Sequence, residues 1–273
     1  GLVGPNGAGK TTFMKMMLDF VRPTEGTLSI FGQDPSEPEL RSNIGYLPEN
    51  PQFYQHLSVE ETIKFVGRLH GMSSAQIQKR TDALLERVGL AYARERRVSN
   101  LSKGMTQRMG IAQALVNDPD FLIFDEPQSG LDPIGRRDVR QLLVSLNESG
   151  RTILFSSHIL HDVEMVSDAV CILDRGDVVY NGPIERVLER GGQLREIRLE
   201  DVTEDTFQGL DVVERIYWER GSLCVVVDGL DSANQVCSRA IESGGSIVSV
   251  TATQRSLENI FEELNRTTSG VSE

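Results

Sequence analysis

The spacing of apolar and polar residues predicts alternating strands and helices over the first 190 residues. Short apolar runs between turn-forming residues predict buried strands, and apolar residues that recur every three or four positions predict amphipathic helices. The predicted strands are 2–3, a stretch between Gly26 and Gly32, 44–47, 121–124 and 152–155, and the predicted helices are 12–20, 58–71, 75–88 and 104–116. Strands and helices that alternate in this way predict an α/β fold.

Helices without intervening strands occupy about residues 50–116. Ser58 and Glu61 have the spacing of a capping box at the start of the first helix, and Gly71 ends it. Gly89 ends the second helix. We therefore predict a helical subdomain within the first domain.

The last third of the chain predicts a second, smaller domain. Strands 169–173 and 177–180 form a predicted hairpin, and residues 181–183 are predicted to start a short helix with Pro183 in its first turn. Gly191 and Gly192 form a predicted linker, so the first domain covers 1–190. Beyond the linker we predict a small α/β domain, residues 191–266, with Trp218 in its core. Its predicted strands are 195–199, 212–218, 223–227 and 247–251, and its predicted helices are 232–242 and 256–264. The polar residues 267–273 are predicted to be disordered.

Composition and charge narrow the class of protein. Of 273 residues, 39% are hydrophobic, and no apolar run is long enough to span a bilayer, which is typical of a soluble globular protein. The net charge of −12 disfavours nucleic acid as a ligand, because clustered Lys and Arg bind phosphate backbones. The basic residues are 5 Lys and 23 Arg, which fits either a salt-rich cytoplasm or an arginine bias of codon usage. Cys171, Cys224 and Cys237 lack metal-ligand spacing and are expected to be reduced.

The strongest motif is GPNGAGKTT, residues 4–12. It matches the phosphate-binding template of Gly, four residues, Gly, Lys and Ser or Thr, between a predicted strand and a predicted helix. Backbone amides at a helix start bind phosphate, Lys10 can neutralise the β- and γ-phosphates, and the Thr11 hydroxyl can ligate Mg²⁺. An unliganded glycine-rich turn is the alternative. The motif predicts a nucleoside triphosphate site made of Gly4, Pro5, Asn6, Gly7, Ala8, Gly9, Lys10, Thr11 and Thr12.

A second motif, LSKGMTQR, opens the predicted helix 104–116. Ser102 is a plausible N-cap, and Gly104 lets a phosphate approach the free amides at the helix start. Alone, this pattern is also typical of an ordinary capped helix.

Two predicted strands end in residues that can act on a phosphate. Asp125 and Glu126 follow the apolar strand 121–124; we expect Asp125 to hold Mg²⁺ and Glu126 to polarise the water that attacks the γ-phosphate. His158 follows the strand 152–155 and can donate a hydrogen bond to that phosphate. His158 and His161 also have the spacing of a metal pair, which we consider less favoured because no third ligand is apparent.

In this order, the motifs GPNGAGKTT, GYLPE, LSKGMTQ, FLIFDEP, SGLD and SSH resemble the nucleotide-binding subunit of an ATP-binding cassette (ABC) transporter, over about residues 1–190. The resemblance implies a P-loop NTPase fold whose N-terminal strands are missing, since the phosphate loop begins after three residues. It also implies a homodimer or related heterodimer in which each Mg²⁺–ATP lies between two head-to-tail subunits.

The resemblance assigns roles to individual residues. It implies that Lys10, Glu126 and His158 are catalytic, with Glu126 the base and His158 the switch histidine. It implies Thr11, Asp125 and Glu49 at the magnesium, although the family usually has Gln at the place of Glu49. It further implies that Ser102, Gly104 and Asp132 belong to the dimer interface, where Ser102 and Gly104 bind the γ-phosphate of the opposite ATP.

By this resemblance the chain hydrolyses ATP to power an integral-membrane permease, peripherally at the cytoplasmic face of the cell membrane. Lys103 and Met105 depart from the commonest signature, and these variants are similar to ABC-2 type exporters. They are also similar to the cassette subunit that serves copper-site maturation of nitrous-oxide reductase. A soluble ABC ATPase of translation or DNA repair and a simple P-loop kinase are rival interpretations.

Overall fold

The chain forms two compact units, Gly1–Asn181 and Gly182–Glu273. The computed structural model describes residues 1–189, 194–252 and 257. The predicted linker at 191–192, the predicted helix 256–264 except residue 257, and the tail 267–273 lie outside the described residues. The predicted domain boundary at residue 190 stays a prediction, and the contact-based division falls at Asn181 and Gly182.

A six-stranded sheet forms the centre of the first unit, in the order β2-β3-β4-β1-β5-β6. Neighbouring strands from β2 to β5 pair in parallel, so their carboxyl ends lie at one edge of the sheet. The strands are β1 (Leu2–Val3), β2 (Ile44–Leu47), β3 (Phe121–Phe124), β4 (Thr152–Ser157), β5 (Ala169–Asp174) and β6 (Asp177–Pro183). All four residues of β3 are buried, as its unbroken apolar run predicts.

Helices follow most of these strands in the chain. They are α1 (Lys10–Met17), α2 (Pro38–Ser42), α3 (Val59–Leu69), α4 (Ser74–Arg87), α5 (Lys103–Ala114), α6 (Pro133–Glu148) and α7 (Leu160–Val166). One core cluster includes Leu2, Met14 and Ile123, which come from β1, α1 and β3. The helices α2, α6 and α7 have no counterpart among the predicted elements.

Two glycines bring α5 close to β2. A methyl group at Gly45 of β2 would lie 2.3 Å from the carbonyl oxygen of Ala114, and one at Gly110 of α5 would lie 2.5 Å from Leu47 Cδ1. Real Cβ contacts are not this short. The contact at Gly45 is with the backbone, so that position requires glycine for the observed approach, whereas at Gly110 the end of the Leu47 side chain would have to shift. This packing fixes the position of α5 against the sheet.

The second unit contains a four-stranded antiparallel sheet in the order β10-β7-β9-β8. Its elements are α8 (Ile184–Glu189), β7 (Leu194–Glu200), β8 (Val213–Glu219), β9 (Ser222–Asp228), α9 (Gly229–Glu242) and β10 (Ser246–Ala252). Side chains of β7, β9 and α9 form its core. Burial, followed by the adjacent Glu196 carboxylate, raises the pKa of Tyr217 to about 12, so the phenol stays protonated and donates to Glu196 Oε2 at 2.6 Å.

Two local predictions are wrong. The stretch between Gly26 and Gly32 is not a strand; Ile30 forms only an isolated bridge with Gln33 across a tight turn, and a strand without a neighbour has no ladder to stabilise it. Trp218 is 53% exposed rather than in the core, because its indole N–H donates to Glu204 at the surface.

The predicted hairpin and capping box are confirmed. The strands β5 and β6 are neighbours, joined through Arg175 and Gly176, both with positive φ, as a tight hairpin turn requires. Ser58 Oγ accepts from the Glu61 amide, and the Glu61 carboxylate accepts from the Ser58 amide at 2.7 Å. Within the described part of the chain, no helix combines the length and apolar character needed to cross a bilayer.

The capping box predicts the effect of Ser58→Ala. The substitution leaves the Glu61 amide without its partner, so the free energy of unfolding should fall by about 1 kcal/mol in a urea titration. The control is Ser74→Ala in the exposed first turn of α4, which should be neutral or slightly stabilising because alanine favours helix. An equal loss in both variants would contradict the capping role.

Candidate nucleotide-binding site

A cavity of about 290 Å³ lies at the carboxyl ends of the parallel strands. It is lined by the phosphate loop, residues 6–12, and by Glu49, Asp125, Glu126 and His158. The loop follows β1, and the other four residues follow β2, β3 and β4. Four separate segments therefore converge here because neighbouring parallel strands end at the same edge.

The phosphate loop has the backbone that its glycines predict. Gly7 and Gly9 have φ of 85° and 105°, a region that residues with a side chain rarely adopt. A methyl group at Gly4 would lie 2.3 Å from the carbonyl oxygen of Leu173 on β5, so Gly4 lets the loop begin against that strand. The loop leads directly into α1. The first backbone amides of a helix have no partner within the helix, so they are available at this end of α1.

Lys10 lies folded over the loop. Its side chain is 7% exposed, and Nζ donates to the carbonyl oxygens of Gly4 at 2.7 Å and Pro5 at 3.2 Å. A buried ammonium with two carbonyl partners is held in place by these hydrogen bonds. It is positioned to attract an anion in the cavity that it lines.

The Asp125 carboxylate is 2% exposed and accepts two hydroxyl hydrogen bonds. Thr11 Oγ1 donates to Oδ2 at 2.8 Å, and Ser156 Oγ donates to Oδ1 at 2.7 Å. The Asp125 amide donates to the carbonyl oxygen of Leu47 at 2.8 Å. These bonds join the phosphate loop, β2, β3 and β4 at one carboxylate.

Ser156 also fixes the next residue, Glu126. The Glu126 amide donates to Ser156 Oγ at 2.8 Å, so one buried hydroxyl bridges both acidic residues. The sequence motifs assign no role to Ser156. The one feature of the sequence that points to a role is its position at a strand end, two residues before His158.

Glu126 and His158 form a contact pair. Glu126 Oε2 lies 2.7 Å from His158 Nδ1. Glu126 has φ of 50°, an uncommon conformation for glutamate that is typical of functional sites where the surroundings impose it. His158 is 55% exposed on its side chain, so it can also contact a ligand. His161, the alternative metal partner, lies instead 3.8 Å from Glu164.

Five predicted site residues do not line the cavity: Gly4 and Pro5, at the start of the loop, and Ser102, Gly104 and Asp132. Ser102 caps α5 by accepting from the Met105 amide, and Asp132 caps α6 by accepting from the Gly135 amide at 2.9 Å. A methyl group at Gly104 would lie 3.5 Å from Leu131 Cδ2, so the start of α5 lies beside the loop before α6. We call the exposed group Ser102, Lys103, Gly104, Gly130 and Asp132 the helix-start surface.

A larger cavity, of about 640 Å³, lies at the amino ends of β3, β4 and β5. Its lining is mainly apolar and includes Phe13, Met17 and Ile153. It contains none of the residues that the motifs predict for the site, so the smaller cavity is the candidate.

The double role of Ser156 predicts the effect of Ser156→Ala. The substitution removes the hydroxyl partner of the part-buried Glu126 amide and of one oxygen of the buried Asp125, so the free energy of unfolding should fall by about 1–3 kcal/mol. Ser157→Ala is the matched control, because among the described residues the Ser157 hydroxyl bonds only to the backbone of Ile159, so its loss should cost less. Equal losses in a urea titration would argue against the bridge.

Comparisons with known proteins agree with this geometry. The family model described as "ABC transporter" matches residues 1–129. The chain is 38% identical, over 96% of its length and 73% of the relative's, to an uncharacterised ABC transporter ATP-binding protein of Synechocystis. It is 34% identical to the bacitracin transport ATP-binding protein BcrA of Bacillus licheniformis, over 97% and 87% of the two chains. A Nod factor export ATP-binding protein of Cupriavidus metallidurans is 39% identical over 69% and 63%.

Solved structures show the same fold. The ATP-binding subunit of an ABC transporter is 31% identical and superposes with a TM-score of 0.62, over 69% of this chain and 80% of that one. A second structure, cbiO1 of Clostridium perfringens, is described as part of the ABC transporter complex cbiONQ; it is 30% identical, with a TM-score of 0.62, over 69% and 79%.

The predicted fold, a P-loop NTPase nucleotide-binding domain, is therefore confirmed. The family model, these relatives and the solved structures show that the chain belongs to the ABC transporter family, as an ATP-binding subunit and an ATPase.

Proposed function

We propose that this chain is the ATP-hydrolysing subunit of an ABC-2 type exporter, in which two copies enclose ATP head to tail and drive an integral-membrane permease. The observation that carries the proposal is the separation of the predicted site into two places on one chain. The cavity holds the phosphate loop, Asp125, Glu126 and His158, whereas the helix-start surface lies outside its lining.

The cavity residues have separable tasks toward ATP. The amides of the phosphate loop and the Lys10 ammonium bind the β- and γ-phosphates. Glu126 accepts a proton from the water that attacks the γ-phosphorus, and the bond from that phosphorus to the bridging oxygen of ADP breaks. His158, in contact with Glu126, orients the carboxylate and donates to the γ-phosphate.

The donor set fits a magnesium ion. Thr11 and Asp125 place two oxygens 2.8 Å apart beside the phosphate loop, and Glu49 adds a carboxylate to the same cavity. Mg²⁺ prefers oxygen ligands and takes only one or two from protein when phosphates supply others. When bound, the ion neutralises charge on the β- and γ-phosphate oxygens.

A second copy supplies what one cavity lacks. In the proposed dimer Ser102 and Gly104 offer the hydroxyl and the free helix-start amides of α5 to the γ-phosphate held by the other chain. ATP then contacts both copies and stabilises the closed dimer, and hydrolysis removes the shared contact. ATP has a higher affinity for the closed dimer than for the open one, and this difference drives the conformational change of the permease.

Support for an exporter comes from two relatives, of which one is named for bacitracin transport and the other for Nod factor export. Support for a membrane partner comes from cbiO1, which is described as part of a transporter complex. We propose accordingly that the chain binds its permease at the cytoplasmic face of the cell membrane. The permease would carry the cargo path.

Glu126→Gln tests the assignment of the base. The amide keeps the size of the side chain but cannot accept the proton, so turnover should fall by about 10²- to 10⁴-fold while ATP still binds. The variant should then accumulate as an ATP-bound dimer in size-exclusion chromatography. Glu148→Gln, at the exposed end of α6, is the control and should behave as wild type. Undiminished turnover of Glu126→Gln would refute the role.

Co-purification tests the membrane partner. A tagged full-length chain, extracted with detergent from membranes of its own cells, should retain a multi-spanning protein at a fixed ratio through a second purification step. Isolation of an active ATPase without any multi-spanning partner, from membranes and cytosol alike, would favour a non-transport ABC ATPase.

A further inference from the structure

Asp162 of α7 is a buried carboxylate that does not line the nucleotide cavity. Its Oδ1 accepts from Nη1 of Arg140 on α6, and the two side chains form an ion pair between helices that pack against each other. Its other oxygen, Oδ2, is buried without a hydrogen-bond partner in the described part of the chain. The carboxylate therefore depends on Arg140 to compensate its charge.

The two partners of this ion pair differ in their access to water. The side chain of Asp162 is 3% exposed, whereas that of Arg140 is 25% exposed. A buried charge that loses its partner is strongly unfavourable, while a guanidinium at the surface can be hydrated. Loss of the arginine should therefore shift α7 until the carboxylate reaches water, whereas loss of the carboxylate should disturb the helix less.

Hydrogen bonds connect Asp162 to both chain neighbours of His158. The Asp162 amide donates to the carbonyl oxygen of Ile159 at 3.1 Å, and the Ile159 amide donates to Ser157 Oγ at 3.0 Å. The helix α7 begins at Leu160, two residues after His158. A shift of α7 would therefore move the backbone that carries this histidine.

The His158 side chain has few contacts that could hold it against such a shift. It is 55% exposed, and in the described part of the chain its ring forms one hydrogen bond, to Glu126 Oε2 at 2.7 Å. Its position is therefore set mainly by the backbone on either side. Small displacements of a catalytic group are costly, since a change of about 1 Å can slow a reaction by about 100-fold.

We propose that Arg140 is a positioning residue for ATP hydrolysis. Its ion pair with Asp162 holds α7, and α7 in turn holds the His158 imidazole against Glu126 and toward the γ-phosphate. Arg140 does not line the cavity, so it acts through the histidine. The inference rests on the role of His158 in the proposed function.

The first test compares variants of the ion pair. Arg140→Gln should lower kcat by about 10- to 100-fold with a much smaller change in the KM for ATP, because the phosphate loop keeps its contacts. Arg140→Gln combined with Asp162→Asn leaves no buried charge and should recover much of the loss. Arg137→Gln, at a 63% exposed side chain of α6, is the control and should leave kcat unchanged. Normal turnover of Arg140→Gln, or no recovery in the double variant, would overturn the proposal.

A double-mutant cycle asks whether Arg140 acts through His158. In a His158→Ala background, Arg140→Gln should have little further effect on kcat, because the group that it positions is absent. A residue that only stabilises the fold would lower kcat by the same factor in both backgrounds. Arg140→Lys keeps the cation but has fewer donors, and it enters the same cycle if a urea titration shows that Arg140→Gln is unfolded under assay conditions.

The outcomes separate this inference from the proposed function. Equal factors in the two backgrounds would overturn the action of Arg140 through His158 and leave the proposed function intact. Undiminished turnover of His158→Ala would overturn the role of the histidine in the proposed function, and this inference with it.

Discussion

The site depends on one buried carboxylate. Asp125 accepts from Thr11 and from Ser156, while its amide donates to Leu47, so the phosphate loop and three strand ends meet at a single residue. A charge that is 2% exposed is stable only when its oxygens have partners, and here both oxygens have hydroxyl donors. The same Ser156 hydroxyl accepts from the Glu126 amide, which holds the neighbouring carboxylate against His158. The acidic groups are thus held in place by hydrogen bonds within the chain.

The second constraint is the separation of the helix-start surface from that cavity. The close packing of α5 on β2, through Gly45 and Gly110, holds the helix with Ser102 and Lys103 exposed beside the loop before α6. In the proposed dimer, the cavity of one copy meets the helix-start surface of the other. ATP is then the bridging ligand. The ratio of its affinities for the closed and the open dimer sets how far the equilibrium shifts toward the closed dimer.

Much of the site was predictable because its motifs are local. Fixed spacing in residues 4–12 specifies the loop, and an apolar run followed by Asp125 and Glu126 specifies a strand that ends in carboxylates. The bridge through Ser156 was not predictable, since it depends on which strands are neighbours. The strand predicted between Gly26 and Gly32 was wrong for the same reason. Alternating apolar and polar residues indicate an extended stretch, but a strand forms only where a neighbouring strand pairs with it.

The requirement for two copies is tested most directly by ATP turnover per chain over a dilution series, with the mass of the protein species measured by light scattering at each concentration. If each working site needs two copies, turnover per chain should fall as the dimer dissociates and approach zero for the monomer. Constant turnover in a sample shown to be monomeric would contradict the central claim.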